Sequence, residues 1–208
     1  MRLAEQVMCA IADADAGKFD SALLHACIAV DATSKRLFPS EKQVVIRYVN
    51  SLRSYYWLLE PMTGGINLVE TRFSNLKLKN NPSPDFAEII YEVFRCNHAH
   101  CDEVPAAFSV TLSPGAFYSK WVLKPDELHM PDRVLWALLS VVVFSRVNRA
   151  EKTLGGAYLS LGSDRFPIAN WWGREDEFRP VADRYITVRV KLDALERIEP
   201  EPGTTLLL

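Results

Sequence analysis

The chain reads as mainly α-helical, with a small β-rich part near its C-terminal end. Three observations predict this. Apolar residues recur at helical spacing in four segments before Pro105. Residues 131–150 are apolar on most faces near their centre, as in a buried central helix. Arg184–Leu192 alternates strictly, with Ile186, Val188, Val190 and Leu192 on one side and Tyr185, Thr187, Arg189 and Lys191 on the other.

The elements follow in order. Residues 1–16 carry Leu3, Val7, Ala10, Ile11 and Ala14 at helical spacing, and Gly17 suits a stop. A second helix is expected from about Asp20 to Phe38, broken by Pro39. Its stripe is Leu24, Cys27 and Ile28, and the next stripe positions hold Asp31 and Lys35. Ser40 and Gln43 suggest a capping box for a third helix, which Pro61 and Gly64-Gly65 end. Ser83 with Pro84 predicts the start of a fourth, whose stripe is Phe86, Ile89, Ile90, Val93 and Phe94. Residues 106–123 alternate weakly around Ser113-Pro114-Gly115 and suggest a hairpin. Gly155-Gly156 closes the central helix, and Ala157–Leu161 reads as a strand. The tail holding Pro200 and Pro202 reads as loose.

Composition narrows the function classes. Apolar residues make up 49% and charged residues 24%, which is globular rather than disordered. A net charge of -2 means that any nucleic-acid contact depends on a local basic patch. The runs Arg72, Lys77, Lys79 and Arg146, Arg149, Lys152 are candidates. The N-terminus mixes acids with its apolar residues, unlike a signal peptide, so a cytoplasmic chain with reduced Cys9, Cys27, Cys96 and Cys101 is expected. The most apolar run, Val134–Phe144, is too short to span a bilayer, so no membrane role is expected.

The fourth helix leads into Arg95-Cys96-Asn97-His98-Ala99-His100. Arg95 and His100, separated by four residues at the end of an amphipathic helix, resemble the Arg-x4-6-His signature of the HEPN superfamily. Ile89–Cys96 is similar in texture to the motif helix of that superfamily, and Asp31–Arg36 resembles an acidic-to-basic run in some members. The resemblance spans about the first two-thirds of the chain. It implies an up-and-down helical bundle over residues 1–152, with 153–208 a β-containing extension packed on it. It further implies a homodimer, RNA as substrate, and metal-independent endoribonuclease activity with no cofactor. His100 is then the acid/base on the ribose 2′-OH and Arg95 the phosphate clamp. Asn97, His98 and Asp31 are supporting candidates. Some members keep the fold without cleaving, as antitoxin partners or defence-system subunits, and that alternative stays open.

Plainer readings stand beside these. Arg95 is equally suited to pair with Asp31 or Glu92, and His100 to sit at a core edge. Asp31 lies where its helix calls for an apolar residue, so it needs a partner such as Lys35 or an arginine of the fourth helix. Cys96, His98, His100 and Cys101 raise the further alternative of a metal-dependent hydrolase, but their spacing is not a standard zinc pattern and no metal is expected. Trp171-Trp172 suits packing or base stacking. On an ideal helix Arg95 and His100 stand about 140° apart, so they meet at one phosphate only past a helix end or across a dimer.

Overall fold

The computed structural model describes residues 2–76, 78, 81–96, 107–111, 120–153, 155–185, 189, 191 and 206–207. The chain is mostly helical, with a smaller β part in its second half. Helices α1 (Leu3–Asp15) and α2 (Phe19–Leu37) form a hairpin turned at Gly17, whose φ of 74° an L side chain resists. Small buried residues line both helices, among them Ala10 and Ala14 on α1 and Ala22 and Ala26 on α2, and their size lets the helices pack closely.

The expected third helix is split into α3 (Val44–Ser54) and α4 (Tyr56–Met62). The Ser40–Gln43 capping box does not form. Gln43 is itself the N-cap, and the turn before it is held by Glu41, which accepts from the Gln43 N–H at 2.7 Å and from Arg47 at 3.2 Å. Pro61 lies inside α4 rather than ending it, and it forgoes only one helical bond.

Asp85, not Ser83, caps the fourth segment. Its Oδ1 accepts from the Glu88 N–H at 3.0 Å, and Glu88 accepts in return from the Asp85 N–H at 2.9 Å. Arg53 from α3 binds both carboxylates, at 2.7 and 2.9 Å. One α-turn, α5 (Phe86–Ile89), then widens into a π-helix over Ile90–Cys96.

The hairpin expected around Ser113-Pro114-Gly115 is not the one formed. Strands β1 (Phe108–Thr111) and β2 (Lys120–Lys124) are separated by β3 (Glu127–Pro131), which pairs parallel to β1 and antiparallel to β2. The tight turn is Pro125-Asp126, with Asp126 at φ 58°. β6 (Leu206–Leu207) extends the sheet on the other side of β2, giving the order β1-β3-β2-β6. The sheet is anchored by Trp121, fully buried near Phe73 and Phe86, whose indole N–H donates to the Thr63 carbonyl at 3.1 Å.

The central helix is α6 (Arg133–Phe144), shorter than the sequence implies. It stops at Ser145, and a 3₁₀ turn follows (Arg146–Asn148). The Asn148 side chain donates to the Val142 carbonyl at 2.8 Å and to Thr33 of α2 at 2.9 Å, so the helix end is tied down by a buried amide. Next come the two-stranded sheet of β4 (Tyr158–Leu161) and β5 (Asp164–Pro167), then α7 (Ile168–Trp171) and α8 (Glu175–Tyr185). Arg184 and Tyr185, expected to begin a strand, instead end α8. That helix starts with Glu175, Asp176 and Glu177, favourable at a helix N-terminus, and buries Phe178 and Ala182 one turn apart. Most of residues 186–192 lie outside the described residues.

Phe144 is the packing centre of the C-terminal half. Phe178 of α8 stacks on it at 3.8 Å, and Phe166 of β5 and Trp171 of α7 meet it edge-on at 5.8 Å each. The Trp171-Trp172 pair therefore packs: Trp171 in this cluster, Trp172 nearly buried beside it. Among the described residues no helix is long and apolar enough to cross a membrane.

A polar network joins α4, α6 and α8. The Tyr55 hydroxyl, just before α4, bonds Glu175 Oε2 at 2.7 Å and Ser145 Oγ at 2.8 Å. Glu175 also accepts from the Arg146 backbone N–H at 3.2 Å and pairs with its guanidinium at 3.3 Å. Burial works against the Glu175 charge, but the bonds from Tyr55 and Arg146 outweigh it and hold its pKa below the ordinary carboxylate value. A depressed folded pKa gives stability that is present above the unfolded carboxylate pKa and lost as pH falls through the folded one. Glu175→Gln is therefore expected to cost about 1–3 kcal/mol at pH 7. In urea titrations the gap from wild type narrows as the solution is acidified below the carboxylate range, and a pH-independent gap would contradict the assignment.

Candidate functional site

The sequence-derived candidates divide into two groups. Asp31 and Arg95 are described; Asn97, His98 and His100 lie outside the described residues, as does Cys101. Asp31 sits on α2 with its side chain 15% exposed, and three cations converge on it. Arg47 of α3 reaches Oδ1 at 3.2 Å, Arg95 of the π-helix reaches Oδ2 at 3.3 Å, and Lys35, one turn along α2, stands 3.8 Å from Oδ2. One carboxylate thus faces three positive charges, and the cluster is electropositive on balance.

The two arginines differ in how they are used. Arg47 is buried, and its fork is committed: Nη2 to Asp31, Nε to Ser34 Oγ at 3.2 Å, and Nη1 to the Glu41 carbonyl. Ser34 in turn donates to the Asp31 backbone carbonyl at 2.7 Å, which fixes the frame. Arg95 gives a single N–H to Asp31 and lies over the Tyr91 ring, 5.6 Å from its centre. Among the described residues the rest of its fork has no acceptor, and its side chain is 23% exposed. Burial opposes the Arg95 charge, but the hydrogen bond to Asp31 and the charge of that carboxylate more than compensate, so its pKa is raised.

Behind the charges is a layer of weakly polar groups. Tyr48 and Tyr91 pack with ring centroids 5.4 Å apart. The Tyr48 hydroxyl is buried and, among the described residues, has no hydrogen-bond partner in good geometry; the Cys27 thiol is its neighbour. Burial pushes the Cys27 thiol up to about 12 and the Tyr48 phenol well above its ordinary value, so neither ionises near neutral pH. Cys27 is then an inert buried thiol rather than a nucleophile. No trio of His, Cys, Asp or Glu side chains that could hold a metal occurs among the described residues.

Arg47 is the cluster member that sequence reading misses. It stands between Ile46 and Tyr48 on a mixed helix, and no local pattern marks it as buried. Only the packing of α3 against α2 carries it to Asp31.

A basic groove of about 550 Å³ lies elsewhere, lined by Arg149, Lys152 and Arg174 with Glu151, Glu177 and Trp172. Arg36 of α2 binds its Glu151 at 2.7 Å. Arg146, from the same basic run, is instead held by Glu175 and Asp176.

The sequence profile of the Rv1289 family matches residues 2–198. The chain is 31% identical over 169 residues to the uncharacterized proteins Rv1289 and MT1327 of two Mycobacterium tuberculosis strains, and equally to Mb1320 of Mycobacterium bovis. Each alignment covers 79% of this chain and 80% of the relative. No solved structure matches the chain.

Proposed function

The chain belongs to the Rv1289 family, and we propose that it acts on RNA as a metal-independent endoribonuclease of the HEPN kind, binding a phosphodiester at the Asp31 cluster. The observation that carries this reading is the fork of Arg95, which is open among the described residues. Asp31 holds the guanidinium by one N–H and leaves its other donors for an anion. Arg47 and Lys35 supply charge that the single carboxylate does not balance. The π-helical winding of Ile90–Cys96 adds support, because such segments are frequent at functional sites.

In this mechanism Arg95 binds the non-bridging phosphate oxygens and stabilises the charge that builds in the transition state. His100 takes the 2′-OH proton, directly or from a partner subunit across a homodimer cleft. Asp31 is a positioning residue: it sets the direction of the Arg95 fork. Asn97 and His98 are candidates for further donors. The groove at Arg149, Lys152 and Arg174 offers a second place for the RNA backbone.

A second reading rests on the same ion pair taken as a staple. Arg95 joins the π-helix to α2 through Asp31, which suits a non-catalytic interaction module such as an antitoxin or a defence-system subunit. The test is cleavage of end-labelled single-stranded RNA in EDTA by the wild type, Arg95→Ala and His100→Ala. Cleavage that both folded variants lose supports the nuclease. No cleavage of any RNA, or equal cleavage by all three proteins, leaves the module.

A further inference from the structure

Among the described residues, strand β4 pairs with β5 on one side only. The phase of that ladder follows from one bond: the Ile168 N–H donates to the Ala157 carbonyl at 3.0 Å. Bonded and non-bonded pairs alternate in an antiparallel ladder, so Ala157, Leu159 and Leu161 exchange bonds with β5. The N–H and C=O of Tyr158 and Ser160 point the other way. Pro167, opposite Tyr158, has no N–H to offer, as this phase requires. Among the described residues nothing bonds to those outward groups.

This edge lines a groove of about 620 Å³. The other wall is α1, which turns Met8, Ile11 and Asp15 toward it, a face distinct from its core stripe of Leu3, Val7, Ala10 and Ala14. Trp136 of α6 completes the lining. Exposed edges are normally blunted by lysine, proline or a bulge. Gly156–Ser160 carries neither charge nor proline, and Tyr158 is 46% exposed. An open edge strand beside a half-apolar helix is the arrangement that receives an added strand, with backbone bonds giving affinity and flanking side chains giving selectivity.

We propose that this groove binds an extended segment of a partner polypeptide as an extra strand on β4, with a lysine or arginine of that segment on Asp15. Asp15 gives the occupant its charge: it is exposed in the groove and forms no ion pair among the described residues. Alternate apolar side chains of the segment enter between Ile11 and Trp136. A second copy of the chain fits less well, because its own β4 edge brings a helix wall with it into a groove of single-strand size.

The probe is a phage-displayed library of random eight-residue peptides panned on the intact protein, and the strongest binder is then measured by fluorescence anisotropy. The expected winners contain a basic residue among β-formers. Ser160→Pro removes an outward N–H that the β4–β5 ladder does not use, so it is expected to weaken binding by about tenfold or more with thermal stability retained. Asp15→Lys and Ala12→Lys lie at exposed positions of the α1 wall and provide an arm that does not depend on the strand. Asp15→Lys should abolish the preference for basic peptides. No enrichment over an unrelated control protein, or winners that bind all three variants as they bind wild type, overturns the proposal. So does a wild-type dimer in sedimentation that Ser160→Pro dissolves, since the occupant is then a second copy.

Discussion

If the chain is the nuclease proposed above, Arg95→Ala is expected to lower single-turnover RNA cleavage by about 10²–10³-fold, the usual loss when one preorganised donor to a developing negative charge is removed. The substitution leaves little damage behind it. Asp31 keeps Arg47 at 3.2 Å and Lys35 at 3.8 Å, so no buried carboxylate is orphaned and the melting temperature changes little. Arg95→Lys keeps the charge without the planar fork and recovers only part of the rate. On the same proposal His100→Ala is expected to lose about 10²–10⁴-fold with RNA binding retained, because a proton carrier acts in the chemical step. Asp31→Asn separates positioning from catalysis on that proposal: it leaves the Arg95 charge in place but weakens its hold, so kcat is expected to fall more than KM rises. Unchanged rates in Arg95→Ala, with the fold intact, would leave Arg95 as a staple between α2 and the π-helix.

Phe144→Ala is the largest expected loss of stability. The ring is fully buried and touches three elements: it stacks on Phe178 and meets Phe166 and Trp171 at right angles. Truncation removes the transfer energy of the side chain and leaves a cavity that four rigid elements cannot close, about 3–5 kcal/mol in all. For a chain of this size that is a fall in Tm of roughly 6–20 °C. Phe144→Leu fills most of the space and costs less, because its loss is mainly ring contacts. Differential scanning calorimetry of the two variants checks the order, and a Phe144→Ala loss under about 1 kcal/mol would mean that the C-terminal helices are not docked through this ring.

Local patterns in the chain anticipate the elements built from nearest neighbours. The α1–α2 hairpin, the stripe from Phe86 to Phe94, the core of α6 and strand β4 each follow from spacing over a few turns or residues. Caps were harder. Ser83 and Asp85 are both good N-caps, and the choice fell to Asp85 because Arg53, distant in sequence, binds its carboxylate and that of Glu88. The Arg184–Leu192 alternation fits a strand as well as a helix end at Arg184 and Tyr185, and the buried Phe178 and Ala182 decided for the helix there.

The candidate site follows the same division. A carboxylate on the apolar stripe of α2 marks Asp31 as needing a cation, and Lys35 is visible from the i+4 spacing alone. Which arginines complete the cluster is a tertiary matter, since Arg47 and Arg95 reach Asp31 from helices 16 and 64 residues away. Strand order is tertiary for the same reason: β1 pairs with β3 rather than with β2, a long-range pairing that no turn residue encodes. The sequence by itself determined the helical stretches up to the central helix, though not α7 or α8, and which polar residues sit where they need partners, because these are short-range consequences of side-chain spacing. Only the tertiary structure decided the partners, and which groups of Arg95 and of the β4 edge are left open among the described residues, because each depends on which surfaces the packed elements cover and which they leave exposed.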